Sequence, residues 1–288
     1  TNMSILKKSF IAAAVLATSM TASANIIYSN ATVTFGGVAS SYDNSALTSS
    51  LLQGVTAADL ANTGLAGVNG SGVFVETFDQ ATQLGSALVG GPFGAGSTAF
   101  NSNTDTDILD TECAVNGTGS GVTATGDFEV RSESKGGVAV VGYPDNCFAY
   151  TPTEGGSSSG SLEIDFQPIL DAAALVFGTP MEMDYVGFYW ATIDQYNSFT
   201  FFNDGVEVLA IEGQDVKDSI TTLQLGSSSQ FVNVNFNAGE TFDKVVVEST
   251  RRASEFDNIV NRIVPVSAPS TLAILALGIF GIRRLAKK

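Results

Sequence analysis

Between Asn25 and Val264 the chain is written in short β-branched and aromatic runs, set apart by clusters of Gly, Asn, Asp and Ser. Runs of that length punctuated at that interval are strands, and few other folds tolerate so many breaks. The expected strands are 26–35, 73–78, 126–132, 137–143, 147–151, 161–166, 183–191, 198–202, 206–212, 231–236, 242–249 and 257–264. Their spacing predicts an all-β fold, an antiparallel β-sandwich of jelly-roll-like type. Two helical exceptions are expected, at 57–66 and 79–88. Val186, Phe188 and Trp190 fall on one face of a strand and Tyr185, Gly187 and Tyr189 on the other, as in a central strand covered on both sides. Trp190 is thereby expected in the core. Asp204-Gly205 between two such runs predicts a hairpin, because both residues accept positive φ at small cost. The segment 155–160, Gly-Gly-Ser-Ser-Ser-Gly, reads as a flexible loop.

With 288 residues, 44% of them hydrophobic, the chain can bury a substantial core. It contains no His, which excludes Ser-His-Asp and Cys-His nucleophilic sites and imidazole-bound zinc. Two cysteines are too few for a thiolate cluster. Any chemistry must come from carboxylates, aromatic rings and the chain ends.

Both ends carry apolar runs flanked by cations. Lys7-Lys8, the apolar stretch from Phe10 to Ala17 and Thr21-Ala22-Ser23-Ala24 have the layout of a secretory signal helix, with cleavage expected after Ala24. At the other end Pro265 to Thr271 leads into an apolar run from Leu272 to Ile282, then Arg283, Arg284, Lys287 and Lys288. Eleven helical residues rise about 17 Å against a hydrocarbon core of about 30 Å, so a membrane span must recruit its flanks. Three segments are thus expected: a signal peptide at 1–24, an exported domain at 25–264 and a C-terminal membrane helix within 265–288. Six of the 13 cations lie in the end segments and all 29 acids lie between them, so the exported part carries 7 cations against 29 acids, a net charge of −22. Such a charge repels nucleic acid and anionic lipid, and no nucleic-acid partner is expected. In an oxidising compartment Cys113 and Cys147 are expected to form a disulfide.

The sequence Val266-Ser267-Ala268-Pro269-Ser270-Thr271-Leu272, followed by a Gly-containing apolar run and terminal Arg and Lys, resembles the PEP-CTERM sorting signal of Gram-negative bacteria. Ala268 stands where that family usually has Glu, and Ser267 where it usually has the first Pro. The stretch from Phe177 through Tyr189-Trp190, Asp194, Tyr196-Asn197 and Asn203-Asp204-Gly205 to Gly213, with Glu255 to Ile259, resembles the β-sandwich of many proteins carrying that signal. The resemblance implies an exosortase-type processing enzyme acting at Val266, Ser267, Ala268 and Pro269, an inner-membrane-anchored precursor, and delivery to the cell surface or exopolysaccharide matrix. A structural or adhesive role follows, without enzymatic activity. The alternative is a carbohydrate-binding module for extracellular polysaccharide. A glycoside hydrolase ranks third.

Four groups of residues bear on these readings. Glu76 and Asp79 with Asp257 and Asn258 offer hard oxygen ligands for a structural calcium, if the first and last strands lie side by side. Asp105, Asp107, Asp110 and Glu112 lack the glycine of a calcium loop and read as a solvated loop beside Cys113. Tyr189 and Tyr196, with Asp194 and Asn197 as polar handles, suit stacking of sugar rings. Glu163 with Asp165, and Glu182 with Asp184, have the spacing of carboxylate pairs that act on glycosides.

Overall fold

The computed structural model describes residues 25–42, 47–56, 72–78, 113, 122–132, 146–153, 158–222, 225 and 228–266. The elements, in order, are β1 (Asn25–Ile27), β2 (Ala31–Phe35), a 3-10 turn (Ser50–Leu52), β3 (Gly72–Glu76), β4 (Thr123–Gly126), β5 (Glu129–Arg131), β6 (Phe148–Thr151) and β7 (Gly160–Asp165). There follow α1 (Gln167–Phe177), β8 (Met181–Ala191), β9 (Asn197–Asn203), β10 (Val206–Glu212), α2 (Gly213–Thr222), β11 (Gln230–Phe236), β12 (Lys244–Ser249) and β13 (Ser254–Pro265). All strand pairs are antiparallel. They build two sheets. The larger has eight strands in the order β1-β2-β11-β8-β13-β6-β5, with β3 also on β13, and the smaller has five, β10-β9-β12-β7-β4.

The two sheets close over one apolar layer. Val186, Phe188 and Trp190 of β8 and Phe256 of β13 face Phe199 of β9, whose ring stacks on Phe188 at 4.2 Å between centroids and meets Trp190 edge-on at 4.6 Å. Phe201 continues this layer against Phe236 and Phe242. Trp190 is fully buried, as the alternation of β8 requires. The opposite face of the large sheet is covered too, because Tyr185, Phe231, Val260, Val73 and Val75 form a second cluster with Tyr42 and Leu52. Gly187 sits on that second face because a Cβ there would run into the Tyr185 hydroxyl and the Phe231 ring. Strands from both halves of the chain share both sheets, so the described residues belong to one sandwich.

Local sequence explains most boundaries and corrects several expectations. The single strand expected at 26–35 is a hairpin, with Ser29 and Asn30 turning the chain and the Tyr28 amide donating to the Ala31 carbonyl at 2.9 Å. The strand expected at 126–132 is shortened to β5, and β4 precedes it, ending at Gly126 with φ +122°. Asp204 (φ 50°) and Gly205 (φ 76°) make the expected tight turn between β9 and β10. Among the described residues two helices stand that the sequence reading did not expect: α1 starts with Pro168 in its first turn and stops at Gly178 in the left-handed region, while α2 buries Val216 and Ile220, four residues apart on one face. Expected helices 57–66 and 79–88, expected strand 137–143, the signal helix and the C-terminal apolar run fall outside the described residues. Among the described residues no helix is long and apolar enough to cross a membrane.

Asn261 is an anomaly in this core. It lies on β13 between Val186 of β8 and Phe74 of β3, fully buried, and neither its amide nitrogen nor its oxygen has a protein hydrogen-bond partner. An unpaired buried amide costs more than an apolar group of the same shape. Asn261→Leu is therefore expected to raise unfolding stability by about 1–3 kcal/mol, measured by chemical denaturation; an unchanged or lower stability would show that the amide is accommodated.

Candidate functional site

Strand register assembles a polar groove on the solvent side of the small sheet. In β7, β9 and β12 inward Leu162, Ile164, Phe199, Phe201, Val245 and Val247 alternate with outward residues that are polar apart from Phe202 and Val246. Pairing then aligns Ser161, Glu248, Ser198 and Glu212 in a row across β7, β12, β9 and β10. At one end of this row stands Tyr196, and together with Ser159, Gln195, Ser249 and Thr250 these residues line a groove of about 390 Å³. Hydroxyls and amides that both donate and accept, two exposed carboxylates and one ring are the inventory that binds a polyol.

Tyr196 is held from several sides. Its phenol donates to the Asp194 carboxylate at 2.6 Å, the Lys217 ammonium of α2 lies 3.3 Å from the other carboxylate oxygen, and the Arg251 guanidinium sits 5.7 Å from the ring centroid. The Thr250 amide donates to the Tyr196 carbonyl at 3.0 Å. Burial, and then the Asp194 carboxylate, push the Tyr196 phenol up to about 12. Gly213 lets α2 start against the Asp194 carbonyl, where a Cβ would collide, and so carries Lys217 to its partner.

Of the four residues proposed for glycan contact, the structure brings three together. Tyr196 lines the groove, Asp194 holds its phenol, and Asn197 is bonded to Ser249 of the groove wall. Asn197 is buried, donating to the Ala253 carbonyl at 3.2 Å and accepting from Ser249 at 2.7 Å, so its amide ties β9 to the β12–β13 turn. Tyr189 is half-buried on the other sheet and does not line the groove. The groove's hydroxyls and carboxylates were missed by sequence reasoning. Alternation marks each as outward-facing, but long-range register alone makes them neighbours.

Glu76, Asp257 and Asn258 do converge, because β3 pairs with β13 and sets Glu76 opposite Ile259. Asp79 lies outside the described residues. All three are fully buried. Between Asp257 and Val260 β13 bulges against β8, and Asn258 takes φ 55°, a conformation Asn tolerates better than most residues. The Asp257 carboxylate accepts from the Asn258 amide at 2.6 Å and from Asn146 at 3.0 Å. Asn258 accepts from Tyr42 at 2.7 Å and donates to the Leu47 carbonyl at 3.0 Å, while Glu76 accepts from the Phe78 amide at 2.7 Å. These oxygens are turned toward N–H and O–H donors, as in an internal polar network. Among the described residues no group of three or more Asp, Glu, Cys or His is placed to hold a metal ion.

The expected disulfide is present: Cys113 is bonded to Cys147, next to Asn146, and both sulfurs lie in the main core. Asp105, Asp107, Asp110 and Glu112 lie outside the described residues. Glu163 and Asp165 share the exposed face of β7, where Lys244 lies 3.2 Å from Glu163. Asp184 is engaged by the Arg262 guanidinium through two bonds, at 2.7 and 3.0 Å. Of the sorting motif, Val266 is described and donates its amide to the Pro180 carbonyl at 2.9 Å, while Ser267, Ala268 and Pro269 lie outside the described residues.

No protein-family model, curated protein or solved structure matches this chain.

Two outcomes are expected from this geometry. Asn258→Ala should lower stability by about 2–4 kcal/mol, losing side-chain bonds and a tolerated left-handed backbone, with Asn258→Gly less damaging because it restores the backbone; equal losses in denaturant titrations would contradict this. Burial raises the Tyr185 phenol from 10.0 to about 12 despite the Ser49 hydroxyl and Arg262. The unfolded chain therefore releases this proton first, so the stability it contributes is complete below pH 10 and lost as pH rises toward 12. Tyr185→Phe should flatten that alkaline decline in melting temperature; an unchanged slope would remove Tyr185 as its source.

Proposed function

We propose that the chain is an exported surface or matrix protein with a structural and adhesive role. In this reading residues 1–24 are removed, the apolar C-terminal run anchors a precursor in the inner membrane, and an exosortase-type enzyme releases it at the PEP-CTERM-like segment beginning at Val266. The observation that carries the reading is the Cys113–Cys147 disulfide within the core, since such a bond persists in oxidising compartments and is rare in the cytosol. The acidic two-sheet sandwich and the end of β13 at Pro265, just before the sorting segment, fit the same account.

The Tyr196 groove favours carbohydrate binding as the contact by which the protein adheres. It offers the Tyr196 ring at the end of a row of hydroxyls and carboxylates, and the ligand is extracellular polysaccharide. A structural calcium near Glu76 and Asp257 belongs to the same proposal as a secondary element, tested by calorimetric titration. No hydrolase activity is proposed, because Glu163 lies beside Lys244 and Asp184 is paired with Arg262.

The test is retention of residues 25–268 on polysaccharide from the producing cells. Tyr196→Ala should weaken retention by roughly tenfold, the loss of one stacking ring, while Tyr196→Phe, which keeps the ring, should retain binding. Equal retention would remove the groove from the proposal. Unprocessed chain found inside cells with both thiols reduced would overturn export itself.

A further inference from the structure

A second concavity, of about 530 Å³, lies between α1 and the start of β8. Leu170, Ala174 and Met181 form its floor, Pro180 its rim and Asp171 its polar flank, while Leu175 projects into solvent with 88% of its surface exposed. The chain leaves the sandwich beside it, since Val266 donates its amide to the Pro180 carbonyl at the rim. Six further residues lead to Leu272, a reach of about 20 Å, longer than the roughly 16 Å of α1.

We infer that the groove on α1 receives the C-terminal apolar run 272–282 of the same chain. The run is apolar and tethered within reach of an apolar groove. Its cations Arg283, Arg284, Lys287 and Lys288 match what the groove carries, because Asp171 flanks it and α1 has no basic residue in its last turn to offset the negative end of its dipole. A lipid surface fits less well: α1 contains no cation, and the surrounding domain is strongly acidic. Docking of this kind covers the run while it is outside a bilayer. It goes beyond the sorting proposal and holds whether or not the tail is later removed.

Chain 25–288 with Leu175 replaced by benzoylphenylalanine tests this in dilute, detergent-free buffer. Irradiation should crosslink position 175 to a peptide within 272–282 of the same molecule, at a yield independent of protein concentration. Trypsin should cut the unsubstituted chain after Arg283 and Arg284 roughly tenfold more slowly than a free 267–288 peptide, the factor that about 1.4 kcal/mol of docking supplies. Leu175→Glu and Asp171→Lys, both on exposed positions, should restore fast cleavage with melting unchanged. Crosslinks that grow with concentration would assign the groove to a second copy, and crosslinks seen only with phosphatidylethanolamine–phosphatidylglycerol vesicles would assign it to lipid. Either result overturns the inference, as does cleavage at the rate of the free peptide.

Discussion

The sandwich depends on how β13 is shared. Its one edge pairs with β8 along nearly its whole length, while the other is divided, Ser254 to Phe256 against β6 and Ile259 to Ile263 against β3. Two short strands cannot follow one long strand at the same register without a break, and the break is the bulge at Asp257 and Asn258. The buried Asp257 carboxylate and Asn258 side-chain oxygen at that point need donors, which Asn146 and Tyr42 supply from distant parts of the chain. The disulfide holds Asn146 in place by its neighbour Cys147. Covalent link, polar network and strand pairing thus meet at one place, and the aromatic layer of Phe199, Phe188 and Phe256 is built outward from it.

The alternation that made β8 a central strand was plain in its sequence, as was the Asp204-Gly205 turn, because both are local. The helix α1 was not, since Ile169 to Phe177 is as apolar as a buried strand, and the informative marks are Pro168 before it and Gly178 after it. Ser29 and Asn30 in a run of β-branched residues similarly hid a hairpin. The convergence of Glu76 with Asp257 was foreseen from strand adjacency, whereas the contributions of Asn146 and Tyr42 were not. These contacts join residues 111 and 216 positions apart, and no local pattern encodes them.

The groove shows the same division. Each outward Ser, Thr or Glu on β7, β9, β10 and β12 was readable as exposed, but the row they form exists because four strands were paired at one register. Tyr196 was identified as a ring with polar neighbours. Its carboxylate partner Asp194 is local, but the two cations nearby, Lys217 of α2 and Arg251 of the β12–β13 turn, are brought to it by packing.

Being both the closing segment of the sandwich and its interior partner, β13 also sets the order of assembly. Any machine that delivers the polypeptide N-terminus first releases β3, β6 and β8 long before the strand that joins them. Until then those edges stay open to the wrong neighbours, and completion of the large sheet waits on β13.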